Sequence, residues 1–294
     1  MLVLATAAAK PPPLLEVAAG DTIPVTIAGQ TLAIVVHSGS IDRLTLDGAV
    51  ATRIGIQPAT LMGKANLKFG GSQVLKGHNR PIDHTTAGIA SGDRVLWFDG
   101  LDTPAADGSI GPWALPHDRV ALRLPGAGRT SYSFPLVGDR NSQSLTVIRT
   151  PDYGFGLTFA AESRARLPIA SAAAGAAIAR ALGGTARPDS WEEEVMLGIR
   201  RPVRRVDLAQ PLVIGPFRFT SIAVRIRDAR DAMGSGDALP LPPSDDDDPS
   251  EIVVTATKTK GPQPIRTLTI PGSALAACSR IEFAKTAKLI TLTC

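Results

Sequence analysis

Apolar and polar positions alternate in short runs along most of the chain, and turn residues break the runs every few positions. This is the pattern of strands rather than of long helices. Residues 22–27 (TIPVTI) alternate like a half-buried strand, and Ala28, Gly29 and Gln30 follow as a turn. Residues 31–36 (TLAIVV) form an apolar run, which predicts a strand buried on both faces. His37, Ser38, Gly39 and Ser40 interrupt it. Leu44, Thr45 and Leu46 read as extended, and residues 47–54 as one short helix ended by Gly55. From 61 to 94 the chain is turn-rich, with only weak strands. Stronger strands are predicted at 94–98 (RVLWF), 119–124 and 131–136.

A second passage repeats this order. Residues 156–159 (GLTF) form a strand broken by Ala160, Ala161, Glu162 and Ser163, then Leu167, Pro168 and Ile169 read as extended. An alanine-rich helix over 170–182 ends at Gly183 and Gly184. Setting Leu44 on Leu167 aligns Arg43 with Arg166 and Ala51 with Ala174. A spacing of 123 residues is too long for a solenoid repeat and suits two related lobes. Residues 109–115 (SIGPWAL) and 269–275 (TIPGSAL) close the two halves in parallel fashion. Between them, 237–250 carries prolines and four successive aspartates, an acidic loop. Consecutive side chains at 245–248 cannot all converge on one calcium ion. Residues 251–258 (EIVVTATK) read as a further strand.

The 294 residues suffice for two lobes of ordinary size. Hydrophobic residues are 44%, too few and too scattered for a membrane protein, and no apolar run past the N-terminus reaches the roughly 18 residues of a membrane helix. The net charge of +4 lacks the one-sided excess of a nucleic-acid binder. The basic cluster Arg200, Arg201, Arg204 and Arg205, close after Glu192, Glu193 and Glu194, reads as a salt-bridged, solvated surface. Residues 1–20 read as a signal-peptide remnant and linker: an apolar stretch ends in Ala-x-Ala before Lys10 and three prolines, without a basic opening segment. The only cysteines are Cys278 and Cys294. A hairpin centred on Thr286 sets them opposite each other, within reach of a disulfide. Such a bond fits an oxidising compartment, periplasmic or secreted.

The order of these elements resembles the pepsin and retropepsin superfamily of aspartic proteases. There, each lobe runs a buried strand into an Asp-Thr/Ser-Gly loop, and an apolar-apolar-Gly motif later crosses beneath it. Residues 32–36 with His37, Ser38 and Gly39 resemble the first strand and loop. Asp107, Gly108, Ser109, Ile110 and Gly111 resemble the first crossing segment, and Ile270, Pro271 and Gly272 the second. Residues 280–293 resemble the closing hairpin. The resemblance covers residues 21–294 and implies an all-β, two-barrel, bilobal fold: an N-terminal lobe over 21–140 and a C-terminal lobe over 141–294.

The chemistry departs from that family. Its mechanism needs two adjacent carboxylates sharing a proton, one activating water and one donating to the carbonyl oxygen. His37 stands where the first acid belongs and Ala160 where the second belongs; Ala161 and Glu162 occupy the Thr/Ser and Gly places. The ordinary mechanism is then unavailable unless Glu162 itself reaches the centre. Ser38 next to His37 does not make a hydrolase pair, because neighbours on a strand point to opposite faces. His78, Asp83 and His84 lie in the turn-rich stretch without the four-ligand framework of a structural metal, and no cofactor motif is present. Trp97, Trp113 and Trp191 read as core or cleft wall.

These features lead to a pseudo-peptidase of the cell envelope. Its inter-lobe cleft, lined by His37, Ser38, Gly39, Ala161 and Glu162, would hold a peptide or an extended protein segment. An active aspartic-type peptidase with a displaced dyad, and a structural or assembly factor with an envelope protein partner, are the alternatives.

Overall fold

The computed structural model describes residues 14–61, 63–68, 74–98, 106–137, 145–226 and 266–294. Most of the signal-like segment, the whole acidic loop at 237–250 and the strand expected at 251–258 lie outside the described residues. Strand β1 (Leu15–Ala18) opens the chain. Then come β2 (Thr22–Ile27), β3 (Gln30–Val36), β4 (Leu44–Asp47) and helix α1 (Gly48–Arg53). After these follow β5 (Lys64–Lys68), β6 (Val74–Thr86), β7 (Ile89–Phe98) and β8 (Gly108–Ile110). A short 3-10 turn, Pro112–Ala114, leads to β9 (Arg119–Arg123) and β10 (Ser131–Pro135). The second half holds β11 (Thr146–Arg149), β12 (Gly154–Ala160), β13 (Ile169–Ala170) and α2 (Ala172–Leu182). It continues with β14 (Gly184–Met196), β15 (Ile199–Ile214), β16 (Phe217–Arg225), β17 (Thr267–Pro271), β18 (Arg280–Ala284) and β19 (Leu289–Thr293).

Among the described residues the fold is all-β with two short helices, and its two large sheets have one plan. The first runs β2-β3-β8-β4-β7-β6-β5 and the second β11-β12-β17-β13-β16-β15-β14. Each pairing keeps its sense: β3 with β8 and β12 with β17 are parallel, while β4 with β8 and β13 with β17 are antiparallel. Each helix follows the matching strand. In the first sheet β2 also pairs with β6, which closes six strands into a barrel. The third sheet, β1-β9-β18-β19-β10, gathers strands from the start, middle and end of the chain.

Local chemistry explains the elements. In β3, Leu32, Ile34 and Val36 are buried, whereas Ala33 is exposed and Val35 half-buried. The strand is therefore buried on one face, not on both as its apolar composition suggested; a small residue costs little in water. Asp47 caps α1 by accepting the Ala49 N–H at 2.7 Å, and Ser171 caps α2 by accepting the Ala174 N–H at 3.3 Å. Alpha2 ends at Gly183 in the left-handed region, φ 68°. Its alanines are small enough for close packing, and Gly175 sits directly on Val224 of β16. One continuous core runs through all three sheets.

Several expectations need correction. The stretch from 61 to 94 is not turn-rich: it holds β5, all of β6 and the start of β7. Polar residues on both faces of β6 hid the strand, since periodicity reads only contrast. The arginine cluster lies on β15, and it is not all solvated: Arg201 and Arg204 are buried, while Arg205 is paired with Asp207 at 2.6 Å. Val203, buried between them, carries that strand into the interior.

Cys278 and Cys294 form a disulfide. The hairpin around it is offset from the expected one, because Ala284 pairs with Leu289 and Arg280 with Thr293. Its centre falls between Thr286 and Ala287, so the two cysteines flank the ladder instead of opposing each other within it. No helix among the described residues is long and apolar enough to cross a membrane.

Candidate functional site

Two short loops meet at the middle of the molecule. The first follows β3. Its His37 N–H donates to the Ile110 carbonyl of β8 at 3.0 Å, and Ser40 N–H closes a tight turn on the His37 carbonyl at 3.3 Å. The second follows β12, where Ser163 N–H closes the same turn on the Ala160 carbonyl at 3.0 Å. His37 and Ala160 are thus equivalent in backbone as well as in sequence spacing. Glutamate at 162 does not prevent the second loop from forming, and Glu162 is not among the residues at positive φ.

Glu162 is the side chain that joins the loops. Its Oε1 accepts the Gly39 N–H at 2.9 Å and lies 2.5 Å from His37 Nδ1. That last contact has the separation of an ion pair, with Oε1 set off the direction of a well-aligned ring hydrogen bond. Oε2 accepts the Ser38 hydroxyl at 2.9 Å and the Ser38 N–H at 3.2 Å. Ser38 Oγ in turn accepts the Ala161 N–H at 3.0 Å. Gly39 makes this approach possible, for a β-carbon there would stand 2.5 Å from the Ala160 β-carbon.

The electrostatics follow from burial and this pairing. Side chains of His37 and Glu162 are only 15% and 10% exposed. Burial alone would raise the Glu162 carboxyl, but the imidazolium of His37, its contact and the Gly39 N–H outweigh that and hold it below the ordinary range. Burial alone would lower His37; the charge and contact of Glu162, with a smaller contribution from Glu194, hold it above its ordinary value. Both shifts favour the ionised forms, so the mutual charge of the pair opposes the cost of its burial.

This arrangement has little capacity for hydrolysis. A carboxylate offers about four lone-pair sites; Glu162 takes three hydrogen bonds from Ser38 and Gly39, and His37 Nδ1 stands against its Oε1 as an ion pair. These contacts stabilise the ionised carboxylate, which makes it a weak base toward water. Ser38 gives its proton to Glu162 and receives the Ala161 N–H, so it is not poised as a nucleophile toward His37. His37 and Ser38 do converge, but on a common acid and not on each other. Ala160 contributes only contact.

The structure brings together all five expected cleft residues, His37, Ser38, Gly39, Ala161 and Glu162, with Ala160 beside them. It assigns the central role to Glu162, whose reach depends on a side chain crossing to the other loop. A buried carboxylate absent from the sequence-based candidates is Asp42, which accepts the Trp113 N–H at 2.9 Å and so ties the end of β8 to the first loop. A lone aspartate before an extended segment gave no signal for it.

The remaining candidates are dispersed. His78 and His84 lie six residues apart on β6, about 20 Å along an extended strand. His78 packs on Trp97 with ring centroids 5.7 Å apart, and His84 Nδ1 bonds to the Ile82 carbonyl at 3.0 Å. Among the described residues no group of three or more His, Cys, Asp or Glu side chains gathers as metal ligands would. Trp97 is core, and Trp113 and Trp191 are partly buried against apolar clusters. Compared with protein-family models and with curated proteins, the chain matches none.

Proposed function

We propose that the chain is a catalytically degenerate relative of the pepsin-like proteases, exported to the periplasm or beyond, that holds an extended peptide or protein segment between two lobes. The observation that carries this reading is the engagement of Glu162 by the opposite loop. The carboxylate that joins the two loops is engaged in clamping Ser38, Gly39 and His37. The shared plan of the two large sheets supports a bilobal ancestry, and the Cys278–Cys294 disulfide supports an oxidising compartment. An extended segment could be held by main-chain hydrogen bonds without any chemistry at the centre.

The test is incubation with a randomised peptide library at acid and neutral pH, with and without a pepstatin-type inhibitor, scored for cleavage and for saturable binding. The expected result is binding without inhibitor-sensitive cleavage. Inhibitor-sensitive cleavage would overturn the reading in favour of an active peptidase. Neither cleavage nor binding would overturn it in favour of a structural role.

A further inference from the structure

The third sheet turns one face to the core. Val17, Val120, Ile281 and Leu292 are buried there, one from each of four strands. Their strand neighbours point to the opposite face. That face carries Glu16 on β1, Arg119 and Arg123 on β9, and Arg280 and Glu282 on β18. Serines of β10 and threonines of β19 fill the rest. Both acids are engaged. Glu282 pairs with Arg119 at 2.6 Å and with Arg280 at 2.8 Å, and Arg280 also reaches Glu16 at 3.0 Å. Ala121 stands opposite both Glu16 and Glu282 and is fully buried, so no groove opens between them.

Cations outnumber acids on this surface. With the turn between β18 and β19, Lys285 and Lys288 join Arg119, Arg123 and Arg280, five cations against two acids. Asp118, beside that turn, is taken up by the Thr286 N–H at 2.9 Å and the Thr286 hydroxyl at 2.5 Å. Arg119 and Arg123 keep 52% and 62% of their side-chain surface in solvent.

The same face gathers exposed aliphatic residues. Six large apolar side chains are exposed among the described residues, and three of them belong here: Leu14, Val137 and Leu289. Leu289 shares the alternation of Thr291 and Thr293 on β19. Leu14 lies two residues before Glu16 at the β1 edge. Val137 lies two residues after Pro135 at the β10 edge, where the Leu136 N–H carries the ladder on by donating to the Lys288 carbonyl at 2.8 Å. A period of two keeps all three on the outward side. Scattered singly, such residues are ordinary. Gathered around a cationic face they fit a bilayer, whose anionic headgroups attract arginine and lysine and whose acyl boundary takes leucine and valine. A soluble polyanion would use the cations alone.

We propose that the outer face of the third sheet docks on an anionic phospholipid surface, with Arg119, Arg123 and Lys288 toward the headgroups and Leu14, Val137 and Leu289 entering the boundary beneath them. The central loops contribute none of these residues, so the proposal stands apart from the peptide-binding reading.

The experiment is sedimentation of the full chain with phosphatidylcholine vesicles, with and without about 30% phosphatidylglycerol, at low salt and at about 0.5 M salt. Arg123→Gln with Lys288→Gln removes two exposed cations. Val137→Ser with Leu289→Ser removes two aliphatic contacts. Val213→Ser, at a comparably exposed valine of β15, is the control. The expected result is binding at least about 10-fold tighter to the anionic vesicles and lost at high salt. The charge variant should bind about 20-fold more weakly, near 5-fold per cation. The aliphatic variant should lose about 5-fold or more, and the control should match wild type. No binding, or equal binding to neutral and anionic vesicles, would overturn the proposal. So would an aliphatic variant that binds like wild type while soluble polyphosphate displaces both from the vesicles, which would make the face a polyanion site.

Discussion

His37 on one central loop and Glu162 on the other lie 2.5 Å apart, and the same carboxylate takes three further hydrogen bonds from Ser38 and Gly39. A charge contributed by one half of the chain thus satisfies the donors of the other. Removing that charge strands an imidazolium and three donors in a nearly closed space. Glu162→Gln should cost about 3 kcal/mol in unfolding free energy, in the range found for breaking buried ion pairs. Urea denaturation measures it; a loss below about 0.5 kcal/mol would show that the bridge contributes no more than an exposed pair.

The bridge sets a pH window. Glu162 is held below its ordinary value of 4.5, so its contribution is present above that value and lost as pH falls through the lowered one. His37 is held above 6.5, so its contribution is present below that value and lost as pH rises through the raised one. Stability should peak between the two limits. In His37→Gln the alkaline decline assigned to this pair should disappear, as thermal melts across pH would report.

His117 predicts an opposite slope. Burial, then the nearby charge of Lys285, hold its imidazole below 6.5. The unfolded chain takes up the proton first, so stability falls as pH drops below that value. His117→Gln should flatten this slope in the same melts without altering the alkaline limb.

Gly39 is the tightest point of contact between the loops. Gly39→Ala drives a methyl group to 2.5 Å from the Ala160 β-carbon. The loops must then separate, at a cost of about 1–3 kcal/mol, as other overpacked sites show. A compensating Ala160→Gly should recover most of the loss, and equilibrium unfolding of the double variant checks this.

The disulfide joins the two ends of the last hairpin, and backbone hydrogen bonds tie those ends to the chain between β9 and β10. Gly126 N–H donates to the Cys278 carbonyl, and Thr130 and Cys294 exchange backbone hydrogen bonds. With a sequence separation of 16, replacing both cysteines by serine should lower stability by about 3 kcal/mol. Denaturation with and without reductant measures it.

Much of the architecture was legible because order and spacing survive where individual motifs are weak. Val36 and Phe159 pair with Ile110 and Ile270 on the crossing strands, so the 123-residue spacing holds where each strand enters its loop. It slips by one at the helix caps, Asp47 and Ser171, because the second connection is one residue longer. That is why aligning Leu44 with Leu167 is off by one. The long strands β6, β14 and β15 were illegible, since charges on both faces erase the alternation. The site was half legible. The spacing identified both loops, but the reach of Glu162 depends on Gly39 and Ala160 being small enough to let the loops touch. That is a three-dimensional property with no local signature.

The most direct measurement is the titration of His37 followed by its ring resonances in wild type and in Glu162→Gln. An ionised inter-loop bridge predicts a wild-type midpoint above 6.5 that falls in the variant. A midpoint at or below 6.5, unchanged by Glu162→Gln, would contradict it.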